Sequence, residues 1–268
     1  AAQETPATNV ENAATTEAPS NIEMSNTTTR LENGGSGNTI TGTVSVNAYT
    51  DVFQVDGVTY RSIFSPDEQA ALQVEPQAAI IGLTDDQLGA ESIEIPATVS
   101  SAGNEYKVVA LGERAATQAR NAADPNADAS IKDMHLLGNG AGAAGISAKN
   151  PALEKLLLPD SLTYIDVDAL AVFQSLKTIE VNVGNPVFAG HMGTLLMTND
   201  FEQSVQDAEG VTVAYIPSAM RNVELPEHAT GIFSEAAPYA KGVAGFHVPE
   251  ANTHLTSTAD LLLRSQED

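Results

Sequence analysis

One short pattern recurs along this chain at a near-constant spacing. An apolar residue precedes Pro, an Ile or Leu follows seven residues after the apolar position, and Ala comes four beyond that. It reads Leu158-Pro159, Ile165, Ala169, then Leu225-Pro226, Ile232, Ala236, then Val248-Pro249, Leu255, Ala259. Leu136 to Leu158 spans 22 residues, Leu158 to Val181 spans 23, and Leu225 to Val248 spans 23. The 44 residues from Val181 to Leu225 are close to two periods. A fixed period of this size means one supersecondary unit stacked on copies of itself, because no single unit buries its own apolar face. The chemistry of such a chain belongs to its surface, so the pattern constrains fold first and function second.

Each period carries apolar residues spaced three and then two apart. Leu153, Leu156 and Leu158 form one set, and Leu176, Ile179 and Val181 the next. Ile131, Met134 and Leu136 fit the same template, and Ile93 and Ile95 open the series before Pro96. A spacing of two puts the last pair on one face of a strand. Proline has no N–H and sits where a strand leaves its ladder. The Leu-x-x-Leu-x-Leu spacing is that of a leucine-rich repeat. The expected fold is therefore an α/β-type solenoid with short parallel strands and irregular or short helical returns. The Ile or Leu and the Ala of each period lie on the return, with Ala where turns approach closely.

Two inserts of nine residues break the rhythm. One falls around Ser101 to Val109. The other falls between Ala115 and Ile131 and reads as a surface loop. A larger excursion at about 184–220 holds Gly193 to Met197 and Val211 to Tyr215, two strands of a hairpin with an acidic tip at Asp200 to Gly210. Residues 91–262 are thus the repeat region and 263–268 a tail.

The N-terminal part differs. Residues 1–38 are rich in Ala, Thr, Asn, Glu and Ser and end in Asn33-Gly34-Gly35-Ser36-Gly37-Asn38. That composition buries too little apolar surface to offset its ordering entropy, so a disordered tail and flexible linker are expected. Its first residues, Ala1-Ala2-Gln3-Glu4-Thr5-Pro6, fit the end left by removal of a signal peptide. Residues 39–90 alternate, with Asp56-Gly57 between Val55 and Val58, the dipeptide of a type I′ hairpin. Leu72 and Val74 give a further short strand. This β-rich unit is expected to cap the open end of the stack.

These residues resemble the BspA-like leucine-rich repeat family of bacterial surface proteins. Leu153-Glu154-Lys155-Leu156-Leu157-Leu158-Pro159 running on to Ile165 is similar to its repeat, as is Ile93-Glu94-Ile95-Pro96 running on to Leu111-Gly112. Asn185-Pro186-Val187-Phe188 followed by Tyr215-Ile216-Pro217 resembles its hairpin excursion. The aromatic that follows the repeat's Ala is replaced in Ala115-Ala116, Ala169-Leu170, Ala236-Ala237 and Ala259-Asp260, which implies an Ala-rich, thinner core. The resemblance implies an exported or wall-attached protein that adheres to host matrix, other bacteria or host receptors, and it carries over no ligand residue.

Composition limits the chemistry. A formal net charge of −23, from 35 acidic and 12 basic side chains, opposes nucleic-acid binding, which depends on neutralising phosphates. The absence of cysteine excludes disulfides, thiolate catalysis and Cys-ligated zinc. No apolar run approaches the ~18 residues of a membrane span. The five histidines are scattered, and Gly138-Asn139-Gly140-Ala141-Gly142 lacks the Lys-Ser/Thr of a phosphate loop. Asp124, Asn126 and Asp128 have the spacing that opens a calcium loop, but the sixth position is Ala129 and the twelfth His135. An acidic exposed loop is the expectation there, and calcium the alternative. The carboxylate pairs Asp85/Asp86 and Asp166/Asp168 read as solvated. No catalytic residue and no cofactor is assigned, so the chain is expected not to be an enzyme. It is expected to bind a protein partner, on host matrix or another cell surface, or else to serve as a spacer domain of a larger surface protein. A binder should display a contiguous apolar or aromatic patch or an acidic face, and Tyr164, Phe173, Phe188, Phe201 and Tyr215 are the aromatics to inspect.

Overall fold

In a computed structural model, residues 51–84, 87, 89–139, 150–198, 208–258 and 261–264 are described. The chain divides into two units, 1–46 and 47–268, and every described residue belongs to the second. The expected disordered tail, the pair Asp85/Asp86, most of Gly138 to Gly142, Phe201 and the acidic tip as far as residue 207 lie outside the described residues.

The described part is mostly strand. It opens with β1 (Val52–Val55), β2 (Val58–Ser62), α1 (Pro66–Leu72) and β3 (Gln77–Leu83). Next come β4 (Ser92–Glu94), β5 (Thr98–Ser101), β6 (Asn104–Leu111), α2 (Glu113–Ala122), α3 (Ala129–Lys132) and β7 (Leu136–Leu137). The middle holds β8 (Lys155–Leu158), β9 (Tyr164–Asp166), α4 (Val167–Leu170), β10 (Thr178–Val181), β11 (Phe188–His191), β12 (Thr194–Thr198) and β13 (Val211–Tyr215). The last elements are β14 (Asn222–Glu224), β15 (Ala229–Ile232), a 3₁₀ turn at Ala237–Tyr239, β16 (Gly245–His247), β17 (Leu255–Thr258) and β18 (Leu261–Arg264).

The 23-residue period is realised as parallel pairing in two places. Thr178 pairs with Lys155 and Val181 with Leu158; Asn222 pairs with Gly245 and Glu224 with His247. In both, partners are 23 residues apart. β4 joins the first pair on its other side, Ile93 opposite Leu156, so Ile93, Leu156 and Ile179 form one buried row.

The set Ile131, Met134, Leu136 is not a rung of that sheet. Ile131 lies in α3, Met134 is exposed, and Leu136 pairs with Ile165 on the return side. The helix-starting Asp128, which caps α3 by accepting from Ile131 N–H, overrides the strand spacing. The returns themselves are strands before they are helices. Ile80, Leu111, Ile165 and Leu136 lie opposite one another across β3, β6, β9 and β7, all buried, and only then does α4 follow β9 and α2 follow β6. β-branched and leucine side chains at period two fit this second sheet, and the helices begin at the Ala-rich step beyond it. Ala115, Ala169 and Ala236 are buried, as a close turn-to-turn approach requires.

The inserts also take regular structure. The first is the hairpin β5–β6, and the second starts within α2, whose Ala115, Ala116 and Ala119 pack on Ile63, Ile81 and Val109, and runs on through 123–128 as the largely exposed loop expected there. No strand forms at Leu72 and Val74: Leu72 ends α1, and Val74 follows its left-handed C-cap Gln73. Ser65-Pro66-Asp67-Glu68 is a capping box: Ser65 Oγ accepts from Glu68 N–H while Ser65 N–H donates to Glu68 Oε2 at 2.8 Å. The Asp56-Gly57 hairpin is present, with φ of 48° and 78° and Val55 opposite Val58. β3 then runs parallel to β6, so the N-terminal strands extend the return sheet.

The excursion enters as β11 and β12, antiparallel, with β13 on the far side of β12 and β15 beyond it. It lies hard against β10: Ile179 N–H donates to Gly193 O at 2.9 Å. A Cβ on Gly190 would come within 3.1 Å of Ile179 O, so any larger residue would push the two backbones apart by a few tenths of an ångström.

Three asparagines clamp the turns. Asn185 Nδ2 donates to Pro159 O and Leu162 O, and its Oδ1 accepts from Val187 and Phe188 N–H. Asn252 repeats this on Pro226 O and Ala229 O, with Oδ1 accepting from His254 and Leu255 N–H. Asn150 donates to Gln87 O and Ala90 O and accepts from Ala152 N–H. Each buried amide thus pairs backbone groups of one turn with those of an earlier one, groups that would otherwise be buried without partners.

Candidate functional site

The outward face of β4, β8 and β10 is charged. Glu94, Leu157 and Glu180 lie in one row across the sheet and Ser92, Lys155 and Thr178 in another. Side chains alternate along a strand, so these rows face away from the buried Ile93–Leu156–Ile179 row. Lys155 Nζ is 2.8 Å from Glu180 Oε1, and Lys177 Nζ is 2.6 Å from Glu154 Oε1. Both pairs are well exposed, so each stabilises the fold by well under about 1 kcal/mol and remains available for exchange with a partner's charges. Glu91 and Glu94 on this sheet and Glu224 on β14 are also exposed.

The aromatics divide differently. Phe173, Phe188 and Tyr215 are buried in the main core, and Tyr164 is half-buried with its ring stacked on His135 at 5.0 Å. Burial pushes the Tyr215 hydroxyl up to about 12. Among the described residues the exposed large apolar side chains are Val52, Leu72, Met134, Val183 and Met192, each on a different element or turn. They do not form one patch. His135 Nδ1–H donates to Thr163 O at 2.9 Å, and burial holds this imidazole below its ordinary value; burial does the same to His191.

Asp124, Asn126 and Asp128 lie on an exposed stretch between α2 and α3. Asp124 Oδ1 accepts from Asn126 N–H at 2.8 Å, an Asx turn. Asp128 Oδ1 accepts from Ser130 Oγ–H and from Ile131 N–H, which holds its carboxyl below the usual range. Among the described residues no group of three His, Asp or Glu side chains is placed to hold a metal ion.

Asp166 and Asp168, expected to be solvated, are fully buried. Arg114 Nε donates to Asp166 Oδ2 at 2.8 Å and Nη2 to Asp166 Oδ1 at 2.9 Å, and Nη2 also reaches Asp168 Oδ2. These bonds, that to Asp166 foremost, raise the guanidinium above its ordinary value. Tyr239 O–H donates to Asp168 Oδ1, and Asn139 N–H to Asp168 Oδ2 at 3.2 Å. Asp166 also caps α4 by accepting from Asp168 N–H. The signal available in the sequence was positional: Asp166 follows Ile165 where Gly112 follows Leu111. A Cβ on Gly112 would stand 2.8 Å from Asp166 Cβ, so the glycine makes room for the carboxylate. The cluster joins α2, α4 and the 3₁₀ turn, three stretches far apart in sequence.

No family profile matches the chain, and no curated protein does either. Solved structures give likenesses of 13% identity. The pneumococcal vaccine antigen PcpA aligns over 75% of this chain and 65% of its own, with a TM-score of 0.32. A leucine-rich repeat protein from Bacteroides capillosus aligns over 74% and 98%, at 0.36. A leucine-rich cell surface protein from Faecalibacterium prausnitzii aligns over 81% and 59%, at 0.29. The chain therefore spans just under two thirds of the length of the first of these and less of the third. No helix among the described residues is long and apolar enough to cross a membrane.

Proposed function

We propose that this chain is an exported or cell-surface leucine-rich repeat protein of the BspA-like kind. Its coils stack as a solenoid, and it acts as a protein-binding or adhesion module rather than as an enzyme. The observation that carries this reading is the division of the paired strands into a buried row and a charge-bearing outer face. Ile93, Leu156 and Ile179 point inward; outward stand Glu94 and Glu180 on either side of Leu157, with Lys155 in the neighbouring row between Ser92 and Thr178, at a strand spacing of about 4.8 Å. A regular array of exposed charge on a rigid sheet recognises a partner through complementary charge, which sets on-rate and register. The excess of acid over base favours a basic partner surface.

A structural spacer is the second reading. It is favoured by the burial of Phe173, Phe188 and Tyr215 and by the scatter of the exposed apolar residues, since anchoring aromatics usually dominate a tight interface.

The purified chain would be passed over immobilised fibronectin, laminin, collagen and intact cells, with a Glu94→Lys/Glu180→Lys variant and a chain lacking 199–207 in parallel. Saturable binding that weakens with salt and is lost in the double variant supports the module. Absence of saturable binding to every surface supports the spacer.

A further inference from the structure

A cavity of roughly 820 Å³ opens beside α4, large enough for one or two sugar rings. Asp168, Gln174, Ser175, Ser218, Tyr239 and Lys241 supply its polar wall, and Ala171 and Val172 an apolar side. Three features narrow what fits. The first is charge. Asp166 and Asp168 bring two negative charges, Arg114 one positive and Lys241 one more, so the cavity and its floor are close to neutral. An ionic ligand would enter with no uncompensated partner to repay its desolvation. The second is preorganisation. The Asp168 carboxylate, fixed by Arg114 and by Asn139 N–H, holds the Tyr239 hydroxyl, and Tyr215 Oη lies 3.2 Å from Ser218 Oγ. The Tyr239 and Ser218 hydroxyls are thus set by buried partners rather than by solvent. The third is mixture. Hydroxyls, an amide and a carboxylate alternate with the Tyr239 ring, Ala171 and Val172. A ligand that matches has hydroxyls round its edge and C–H groups on its face.

We propose that this cavity is a binding site for a neutral saccharide, with Tyr239 against the sugar face and Gln174, Ser175 and Ser218 on its hydroxyls. No residue of β4, β8 or β10 lines the cavity, so the assignment does not rest on a protein partner.

The test is saturation-transfer difference NMR on the whole chain at millimolar ligand. The ligands are D-glucose, D-galactose, D-mannose, N-acetyl-D-glucosamine and lactose, with putrescine and citrate as charged probes. At least one sugar should receive saturation, and neither charged probe should. Ser175→Trp fills the cavity and should abolish the transfer. Tyr239→Ala removes the ring that faces the sugar and should weaken the affinity roughly fivefold to tenfold. Gln174→Ala, at an exposed position, should weaken it with the melting curve unchanged, and it decides the matter if either of the other variants is unfolded. Transfer to no sugar, transfer to putrescine or citrate instead, or sugar signals unchanged in the folded variants would overturn the assignment.

Discussion

β8 and β10 in the middle of the chain and β14 and β16 near its end are paired alike, parallel with partners 23 residues apart. Each pair is followed by the same asparagine clamp, Asn185 in one and Asn252 in the other. They differ in what covers them. β8 has β4 on one side and β10 on the other, and the hairpin of β11 and β12 closes over β10. Among the described residues β16 pairs with β14 alone. Burial follows: Leu156 and Ile179 are both enclosed, whereas Phe246, opposite the enclosed Val223, is only half-buried. The same sequence unit is therefore covered differently according to its neighbours, and its stability is expected to differ accordingly, since units stabilise one another through interfaces.

The sharpest way to break this comparison is to truncate equivalent positions. Ile179→Ala should cost about 3 kcal/mol, because the cavity cannot collapse between β8 and the hairpin that closes over β10. Phe246→Ala should cost about 1–2 kcal/mol despite the larger side chain, because part of its surface already meets water. Urea midpoints followed by circular dichroism measure both. Equal losses would mean that β16 is covered as well as β10. A second variant probes the tie between the two regions. Arg114→Met leaves two buried carboxylates with Tyr239 as their remaining side-chain donor. Breaking a fully buried pair costs about 3–5 kcal/mol, and the partial exposure of the guanidinium reduces the expectation to about 2 kcal/mol. Adding Asp166→Asn should recover part of that loss in a double-mutant cycle.

Much of this was legible in the sequence and some was not. The spacing of Leu156, Leu158, Ile179 and Val181 specified the paired strands and their inward face, because period-two burial leaves few other registers. The same template admitted Ile131, Met134 and Leu136, since spacing alone cannot distinguish a strand from one helical turn begun by Asp128. The charged outer rows follow from the same alternation once the register is known. The Arg114–Asp166–Asp168–Tyr239 cluster left only the positional hint of Asp166 standing where Gly112 stands, because its side-chain hydrogen bonds join residues 52 to 71 apart that only the fold pairs. The clamps leave a trace in the sequence: Asn185 and Asn252 each stand four residues after the repeat's last apolar position, Val181 and Val248.

The clamps offer a finer contrast. Asn185→Ala deprives two carbonyls and two N–H groups of partners beneath a turn where the Asn185 side chain is buried, and should cost about 2 kcal/mol. Asn252→Ala deprives the same four groups nearer the chain's end, where water can replace some partners, and should cost about 1 kcal/mol. Melting curves of the two variants recorded side by side give the difference, and a reversed order would contradict the gradient of cover.

The smallest effect is acid-dependent and belongs to the return sheet. Burial depresses the proton affinity of His135 in the folded state relative to the unfolded chain, where the imidazole titrates near about 6.5. The unfolded state then binds more protons, so stability rises with pH. The contribution is complete above the unfolded value and is lost as pH falls through the lowered folded one. Acidification from neutrality should therefore lower the melting temperature of the natural chain more than that of His135→Gln. Hydrogen exchange should place the loosening at β7 and β9, whose register Ile165 N–H to His135 O helps to fix. Acid-induced exchange that begins in β14 and β16 instead would show that the thinner cover of the last rung, not the buried imidazole, governs the response.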